Sequence, residues 1–250
     1  MGRKRKKVGA SFMMSSLDYT TRQYMSDIGF KREVTLIENA DILVIPGGSD
    51  VNPRLYNQEP HVLCGKANDS LDKAEKTLFN KAVKLDIPIL GICRGAQMAC
   101  ILSGGELYQH VTGHLGKHFM YTDNNITKRQ IKHSRTVSPV TVTSCHHQMM
   151  MPFKMNAADY QLLGWSLGLS REYLNDSGKV FLNKTLYPKA YTRYDSLKEP
   201  EIIYFPKTRA LALQYHPEFS GMSTLASDYT EILINSLLYD NKSLVEGKTF

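Results

Sequence analysis

Hydrophobic positions along the 250-residue chain follow two rhythms. Unbroken apolar runs at residues 42–45 (Ile-Leu-Val-Ile) and 87–92 end at glycine-bearing turns. Runs of this kind predict strands buried on both faces, as in a parallel sheet. Residues 7–14 read as a further, first strand. Between these runs the apolar residues recur at helical spacing. Residues 18–28 place Tyr19, Tyr24, Met25 and Ile28 on one face before Gly29 stops the helix. Residues 71–84 form a second helix with Leu71, Ala74, Leu78, Ala82 and Leu85 on one side. A helix over 94–102 follows the second run at once and ends at Ser103-Gly104-Gly105. Residues 52–68, with Pro53 and Pro60, read as a loop. Farther on, 136–143 alternates and predicts a strand leaving the sheet core. Residues 202–205 and 209–214 read as a hairpin around Pro206-Lys207-Thr208. Residues 224–238 form a closing amphipathic helix with Leu225, Tyr229, Ile232, Leu233 and Leu237 inward.

Strands alternating with helices imply right-handed crossovers and a parallel sheet. The expected fold is α/β: one three-layer, flavodoxin-like domain with a mainly parallel central sheet, over residues 8–240. There is no internal repeat and no linker to a second domain. Residues 1–7 and 241–250 are expected to be tails.

Composition refines this picture only slightly. The chain is 42% hydrophobic and 22% charged, as in ordinary globular proteins. No run of 18 apolar residues exists, so no membrane span is expected. Of the net charge of +7, much comes from one cluster, Arg3, Lys4, Arg5, Lys6 and Lys7. That cluster reads as a solvated tail, with at most weak contact to nucleic acid. The apolar stretch behind it is too short and too interrupted for a signal peptide. Four cysteines (Cys64, Cys93, Cys100 and Cys145) lack framework spacing, so a reducing, cytoplasmic setting is expected.

The candidate chemistry begins at Gly91-Ile-Cys93-Arg-Gly95. This is the glycine-x-nucleophile-x-glycine pattern of a sharp strand-to-helix turn, with Cys in place of Ser. The glycines remove side chains that would collide at the bend. The thiol would sit at a helix N-terminus, where partial positive charge favours an anion. A thiol needs a base. The best candidate is His216 in Gln214-Tyr-His-Pro-Glu218, with Glu218 close enough to fix the imidazole tautomer. Pro46-Gly47-Gly48 ends a neighbouring strand, where open α/β sheets bind ligands. The amide of Arg94, next to the nucleophile, is the natural donor to an oxyanion there.

Further motifs appear in order: Gly47-Gly-Ser-Asp50-Val-Asn-Pro53-Arg-Leu-Tyr56, Gly91 to Gln97, Gly104-Gly-Glu-Leu-Tyr-Gln109, Ser144-Cys-His-His-Gln148 and Gln214 to Glu218. Asp72 and Glu75 precede the nucleophile strand. Together these resemble the class I glutamine amidotransferase superfamily, in its γ-glutamyl hydrolase-like, peptidase C26-type branch. The resemblance spans about residues 40 to 220. It implies a Cys93–His216–Glu218 triad and an oxyanion hole from the Gly48 and Arg94 amides. It also implies glutamyl contacts from Gly47, Gln97, Ser144, His146, His147 and Gln148. The implied reaction is hydrolysis of a γ-glutamyl amide through a Cys thioester, without a cofactor. A synthetase partner acting in trans would fit a glutamine amidotransferase. The alternatives are a stand-alone hydrolase of γ-glutamyl amines of the polyamine or GABA type, and a catalytically silent binding module. The chain departs from the pattern at Cys100, Cys145 and Tyr215. No metal site is expected: His146 and His147 are adjacent on a strand and point to opposite faces, and no ligand pair at zinc spacing joins them, Cys145 and His114.

Overall fold

The structure, a computed structural model, describes residues 10–122, 139–175 and 198–239. The two predicted tails, with residues 8, 9 and 240 of the expected domain, lie outside these residues. Four strands and three helices carry the catalytic half: β1 (Ser11–Met14), α1 (Tyr19–Asp27), β2 (Arg32–Glu33), β3 (Ile42–Ile45), α2 (Asp69–Lys84), β4 (Ile89–Ile92) and α3 (Arg94–Leu102). Then come β5 (Glu106–Tyr108), β6 (His110–Val111), β7 (Leu115–Thr122), β8 (Val140–Cys145), β9 (Met149–Met151), β10 (Gln161–Leu167) and β11 (Tyr173–Leu174). The chain closes with β12 (Lys198–Phe205), β13 (Ala210–Leu213) and α4 (Thr224–Tyr239).

Nine strands form one sheet in the order β2-β1-β3-β4-β13-β12-β10-β7-β8. From β2 to β13 every pairing is parallel. From β13 to β8 every pairing is antiparallel. The parallel reading of the apolar runs therefore holds for the half built from β2, β1, β3, β4 and β13. Alternate residues of these strands feed two cores. Ile42, Val44, Leu90, Ile92, Leu211 and Leu213 face Met25 of α1 and Tyr229 and Leu233 of α4. Leu43, Ile45, Ile89, Ala210 and Ala212 face Phe79 of α2 and Ala96 and Ala99 of α3. The result is three layers, with the sheet in the middle.

Two helices are rotated from their predicted faces. On α2 the buried residues are Asp72, Glu75, Phe79 and Ala82, while Ala74 and Leu85 are exposed. Two carboxylates take the inward face because a buried arginine, Arg94, waits there. On α4 the inward set is Ala226, Tyr229, Thr230, Leu233 and Ile234, and Leu225 is exposed. Thr230 turns inward because its hydroxyl is 2.6 Å from that of Tyr215. The strand predicted over 136–143 is β8; residues 136–138 lie outside the described residues, and β8 forms the far edge of the sheet. The hairpin strand predicted from residue 202 begins four residues earlier, with Glu199 and Glu201 fully buried. Charged residues read as loop because nothing local reveals the partners that make their burial tolerable.

Candidate active site at the Cys93 elbow

The elbow is built by close approach of backbone. A Cβ on Gly95 would lie 1.9 Å from the Ile45 carbonyl oxygen, and one on Gly91 would lie 2.4 Å from that of Gly95. Only glycine lets β3, β4 and α3 converge this closely. Cys93 between them has φ 50° and ψ −104°, outside the comfortable regions for an L-residue. Such strain costs on the order of 1–3 kcal/mol and gathers at functional sites. The Cys93 amide donates to Leu213 O at 2.7 Å, which ties the elbow to β13. Cys93 occupies the N-cap position of α3, at the helix end where backbone amides are left free, and its side chain makes no capping hydrogen bond.

His216 reaches the same point from the end of β13. Its Nδ1 donates to Glu218 Oε1 at 2.7 Å. The ring stacks on Phe219 at 4.2 Å between centroids, nearly parallel. The contact with Glu218 is made differently from the extended geometry expected. The strand ends at Leu213, and residues 216–219 form a turn closed by Phe219 N to His216 O at 3.2 Å. The turn, with Pro217 inside it, folds the carboxylate back onto the ring. Burial opposes charge on His216, but the Cys93 and Glu218 side chains outweigh it and push its pKa up to about 10. A Cβ on Gly47 would lie 3.0 Å from His216 Cε1 and 3.9 Å from Cys93 Cβ. Gly47, Cys93 and His216 thus share one small volume.

Arg94 sits beneath this volume. Its side chain is fully buried, and its guanidinium grips Asp72 and Glu75 of α2. Glu75 also accepts from Ser15 Oγ at 3.0 Å, and Asp72 accepts from the Asn52 amide at 3.1 Å. A Cβ on Gly48 would meet Arg94 Cδ at 2.9 Å, so this side chain supports the Gly47-Gly48 turn directly. Through Ser15 and Asn52 the clamp ties Arg94 and α2 to the segments that follow β1 and β3.

The other predicted contacts divide into two groups. Gln97 and Gln148 stay together: Gln97 Nε2 donates to Gln148 O at 2.7 Å, and Gln148 Oε1 accepts from the Val51 amide at 3.0 Å. His147 Nε2 bonds Asp50 Oδ1 at 2.9 Å, and its Nδ1 is 3.2 Å from that of His110. The Asp50 hydrogen bond raises the His147 pKa. Asp50, on the Gly-Gly-Ser-Asp motif, was left without a role by sequence reasoning, although the motif itself marked it. Cys64 lies beside Asp50 and Gln148, and burial with the Asp50 charge pushes its thiol up to about 12. His146 and His147 lie in the bend between β8 and β9 and not on a strand as expected, and His146 serves a different neighbourhood from His147. Its Nδ1 donates to Gln148 O at 3.0 Å and its ring packs 4.6 Å from that of His114. Burial and the His114 charge hold its pKa down to about 3. Ser144 is buried with its hydroxyl unpartnered among the described residues. Of the residues where the chain departs from the expected pattern, Cys100 is buried in the core and Cys145 is exposed. Among the described residues no helix is long and apolar enough to cross a membrane.

Comparison with known proteins supports a single assignment. The family model for peptidase C26 matches residues 31–218. A Lactococcus lactis subsp. cremoris relative, named only as a glutamine amidotransferase-like YvdE homolog, is 36% identical over 106 residues, 42% of this chain and 50% of that protein. NtpR of Enterococcus hirae is 38% identical over 76 residues, 30% of this chain and 32% of that protein. The chain thus spans half or less of the length of the curated relatives it matches. Among solved structures, a Thermotoga maritima glutamine amidotransferase aligns over 95% of this chain and 89% of its own, with TM-score 0.52 and 15% identity. The glutaminase domain of Trypanosoma brucei CTPS, with bound acivicin, aligns over 93% and 94%, with TM-score 0.54 and 15% identity. These two likenesses show the fold. The family match carries the assignment: the chain belongs to the peptidase C26 family of the class I glutamine amidotransferase superfamily.

Proposed function

We propose that the protein hydrolyses a γ-glutamyl amide, glutamine or a γ-glutamyl amine, through a thioester on Cys93. The observation that carries this reading is the meeting of a strained Cys93 with a His216 that is bonded to Glu218 at 2.7 Å. With its pKa at about 10, His216 is an imidazolium facing Cys93 at neutral pH. The Cys93 sulfur attacks the γ-carbonyl carbon, and the carbonyl electron pair moves to oxygen. The resulting oxyanion accepts hydrogen bonds from the Gly48 and Arg94 amides. The oxyanion then collapses as the carbon–nitrogen bond breaks. His216 gives its proton to the departing nitrogen, releasing ammonia or an amine. The thioester remains until water, deprotonated by the now neutral His216, attacks it and glutamate leaves with the sulfur restored. Glu218 holds the ring orientation throughout. Gly47, Gln97, Gln148, Ser144, His146 and His147 are the candidate glutamyl contacts, with His146 the weakest of these because it faces His114.

The glutamine amidotransferase relatives and the CTPS glutaminase domain favour glutamine as substrate, with a synthetase in trans taking the ammonia. Glutamate release from L-glutamine and from a panel of γ-glutamyl amines tests this. Slow, Cys93-dependent release from glutamine supports the amidotransferase reading. Fast turnover of a γ-glutamyl amine and none of glutamine replaces it with a stand-alone hydrolase. No release from any of them overturns the proposal.

A further inference from the structure

A second group of chemistry-bearing side chains lies in the antiparallel half of the sheet. His114 precedes β7, His118 is on β7, and Glu201 is on β12, with β10 between the two strands. All three side chains are buried. One ligand atom from each lies within 4.8 Å of the others. We propose that His114, His118 and Glu201 bind a divalent transition-metal ion of the zinc class.

The hydrogen-bond inventory points to a missing occupant. His118 Nε2 and Glu201 Oε1 are 2.8 Å apart, an ordinary hydrogen bond. Both ring nitrogens of His114, His118 Nδ1 and Glu201 Oε2 are buried with no hydrogen-bond partner among the described residues. Four such atoms in one cluster are unusual, because buried polar atoms are nearly always satisfied. His114 Nδ1 stands 3.6 Å from Glu201 Oε1. That is too long for a hydrogen bond. It is close to the roughly 3.3–3.4 Å edge of a tetrahedron with zinc-to-nitrogen and zinc-to-oxygen bonds of about 2.0–2.1 Å.

The surroundings also suit a metal. Histidine ligands usually turn their second nitrogen toward a carboxylate or carbonyl that fixes the ring. Glu199 Oε2 is 3.4 Å from His114 Nε2, on the ring edge away from Glu201. Glu199 itself is firmly held, accepting from the Ser170 amide at 2.7 Å, the Leu169 amide at 2.9 Å and the Tyr173 hydroxyl. The Ser166 hydroxyl of β10 lies within 3.2 Å of both Glu199 and Glu201. His146 packs against His114, with Nδ1 bound to a carbonyl and Nε2 buried without a hydrogen-bond partner among the described residues. Between His114 and His118 stands Gly116, and the two rings meet edge to face at 5.5 Å. A dication held by imidazole lone pairs would balance the Glu199 and Glu201 carboxylates. Two imidazoles and one carboxylate suit zinc better than calcium or magnesium, which prefer oxygen ligands.

Such an ion would brace the strands that deliver the site. β12 pairs with β13, which leads to His216. β8 pairs with β7, gives Thr143 O to the His216 amide at 2.9 Å, and leads to Gln148. The ion is a strut, apart from the thiol chemistry, so its test needs no substrate. Tag-free protein is stripped with chelator, desalted and titrated with Zn2+, then with Co2+ while the visible spectrum is recorded. The expected result is about one ion per chain, cobalt bands of nitrogen and oxygen ligands, and no thiolate charge-transfer band. Glu201→Gln and His118→Asn should each weaken binding at least tenfold. Cys145→Ser should bind as the parent does. No uptake by the folded parent, a thiolate band, or unchanged binding in both cluster variants overturns the proposal. Should those variants fail to fold, the cobalt spectrum of the parent decides by itself.

Discussion

Arg94, on the helix that follows β4, and Glu201, on β12 of the antiparallel half, are both fully buried charges held in contrasting ways. Arg94 is gripped by Asp72 and Glu75, three residues apart on one helix, and these in turn are met by Ser15 and the Asn52 amide. Glu201 lies among His114 and His118, from one stretch of chain, and Ser166, from another, and several atoms there have no hydrogen-bond partner among the described residues. The difference teaches where rigidity comes from. In the parallel half, tight backbone approach and a two-carboxylate clamp on Arg94 fix the nucleophile, with only the Arg94 Nε left without a hydrogen-bond partner among the described residues of that clamp. In the antiparallel half, His118 and Ser166 bond Glu201, but both His114 ring nitrogens and Glu201 Oε2 have no hydrogen-bond partner among the described residues, which leaves that region open to something added.

The strongest way to break the comparison is at the thiol. Cys93→Ala should lower glutamate release by on the order of 10⁴-fold or more, with unchanged circular dichroism, since the elbow accepts a small side chain. His216→Ala should approach that loss in kcat. Glu218→Gln should cost less, roughly 10²-fold, because the carboxylate orients the ring and transfers no proton. The clamp comes next. Asp72→Asn or Glu75→Gln leaves Arg94 partly uncompensated in the interior, and denaturant unfolding should register a loss of about 3–5 kcal/mol. Similar substitutions of exposed pairs, such as Glu38 with Lys81, should leave the unfolding midpoint almost unchanged, because solvent screens them.

Glycines sharpen the contrast between crowding and conformation. Gly95→Ala drives a methyl into the Ile45 carbonyl and should cost about 3 kcal/mol or prevent folding. Gly29→Ala meets open space at φ +106° and should cost only the left-handed backbone penalty, about 1–2 kcal/mol. A further effect is electrostatic. The His216 pKa is raised in the folded protein, so its charge adds stability below pH 6.5, and that stability is lost as pH rises through about 10. The stability difference between the parent and His216→Gln should therefore narrow across that window.

The parallel half was legible because its signals are local. The apolar runs at 42–45 and 87–92, the glycine pair around Cys93 and the His-Pro-Glu motif each declare themselves within a few residues. The facing of α2 was not, because Asp72 and Glu75 turn inward only for an arginine that follows the next strand. The strands of the antiparallel half were hidden for similar reasons. β7 exposes Leu115 and Phe119 while burying His118, which inverts the usual pattern. β10 carries Gly164, where a Cβ would meet Met120 Sδ at 2.8 Å, so its interior glycine marks close packing and not a turn. The motif at residues 144–148 was legible as a unit, but its two histidines serve different neighbourhoods: His147 joins Asp50, and His146 joins His114.

The central claim is a glutamyl thioester on Cys93. Mass spectrometry of protein acid-quenched during turnover of its best γ-glutamyl substrate tests it most directly. The account predicts a glutamyl adduct on the Cys93 peptide that is released by hydroxylamine and absent from Cys93→Ala. Steady glutamate formation with no adduct, or turnover that survives in Cys93→Ala, would contradict it.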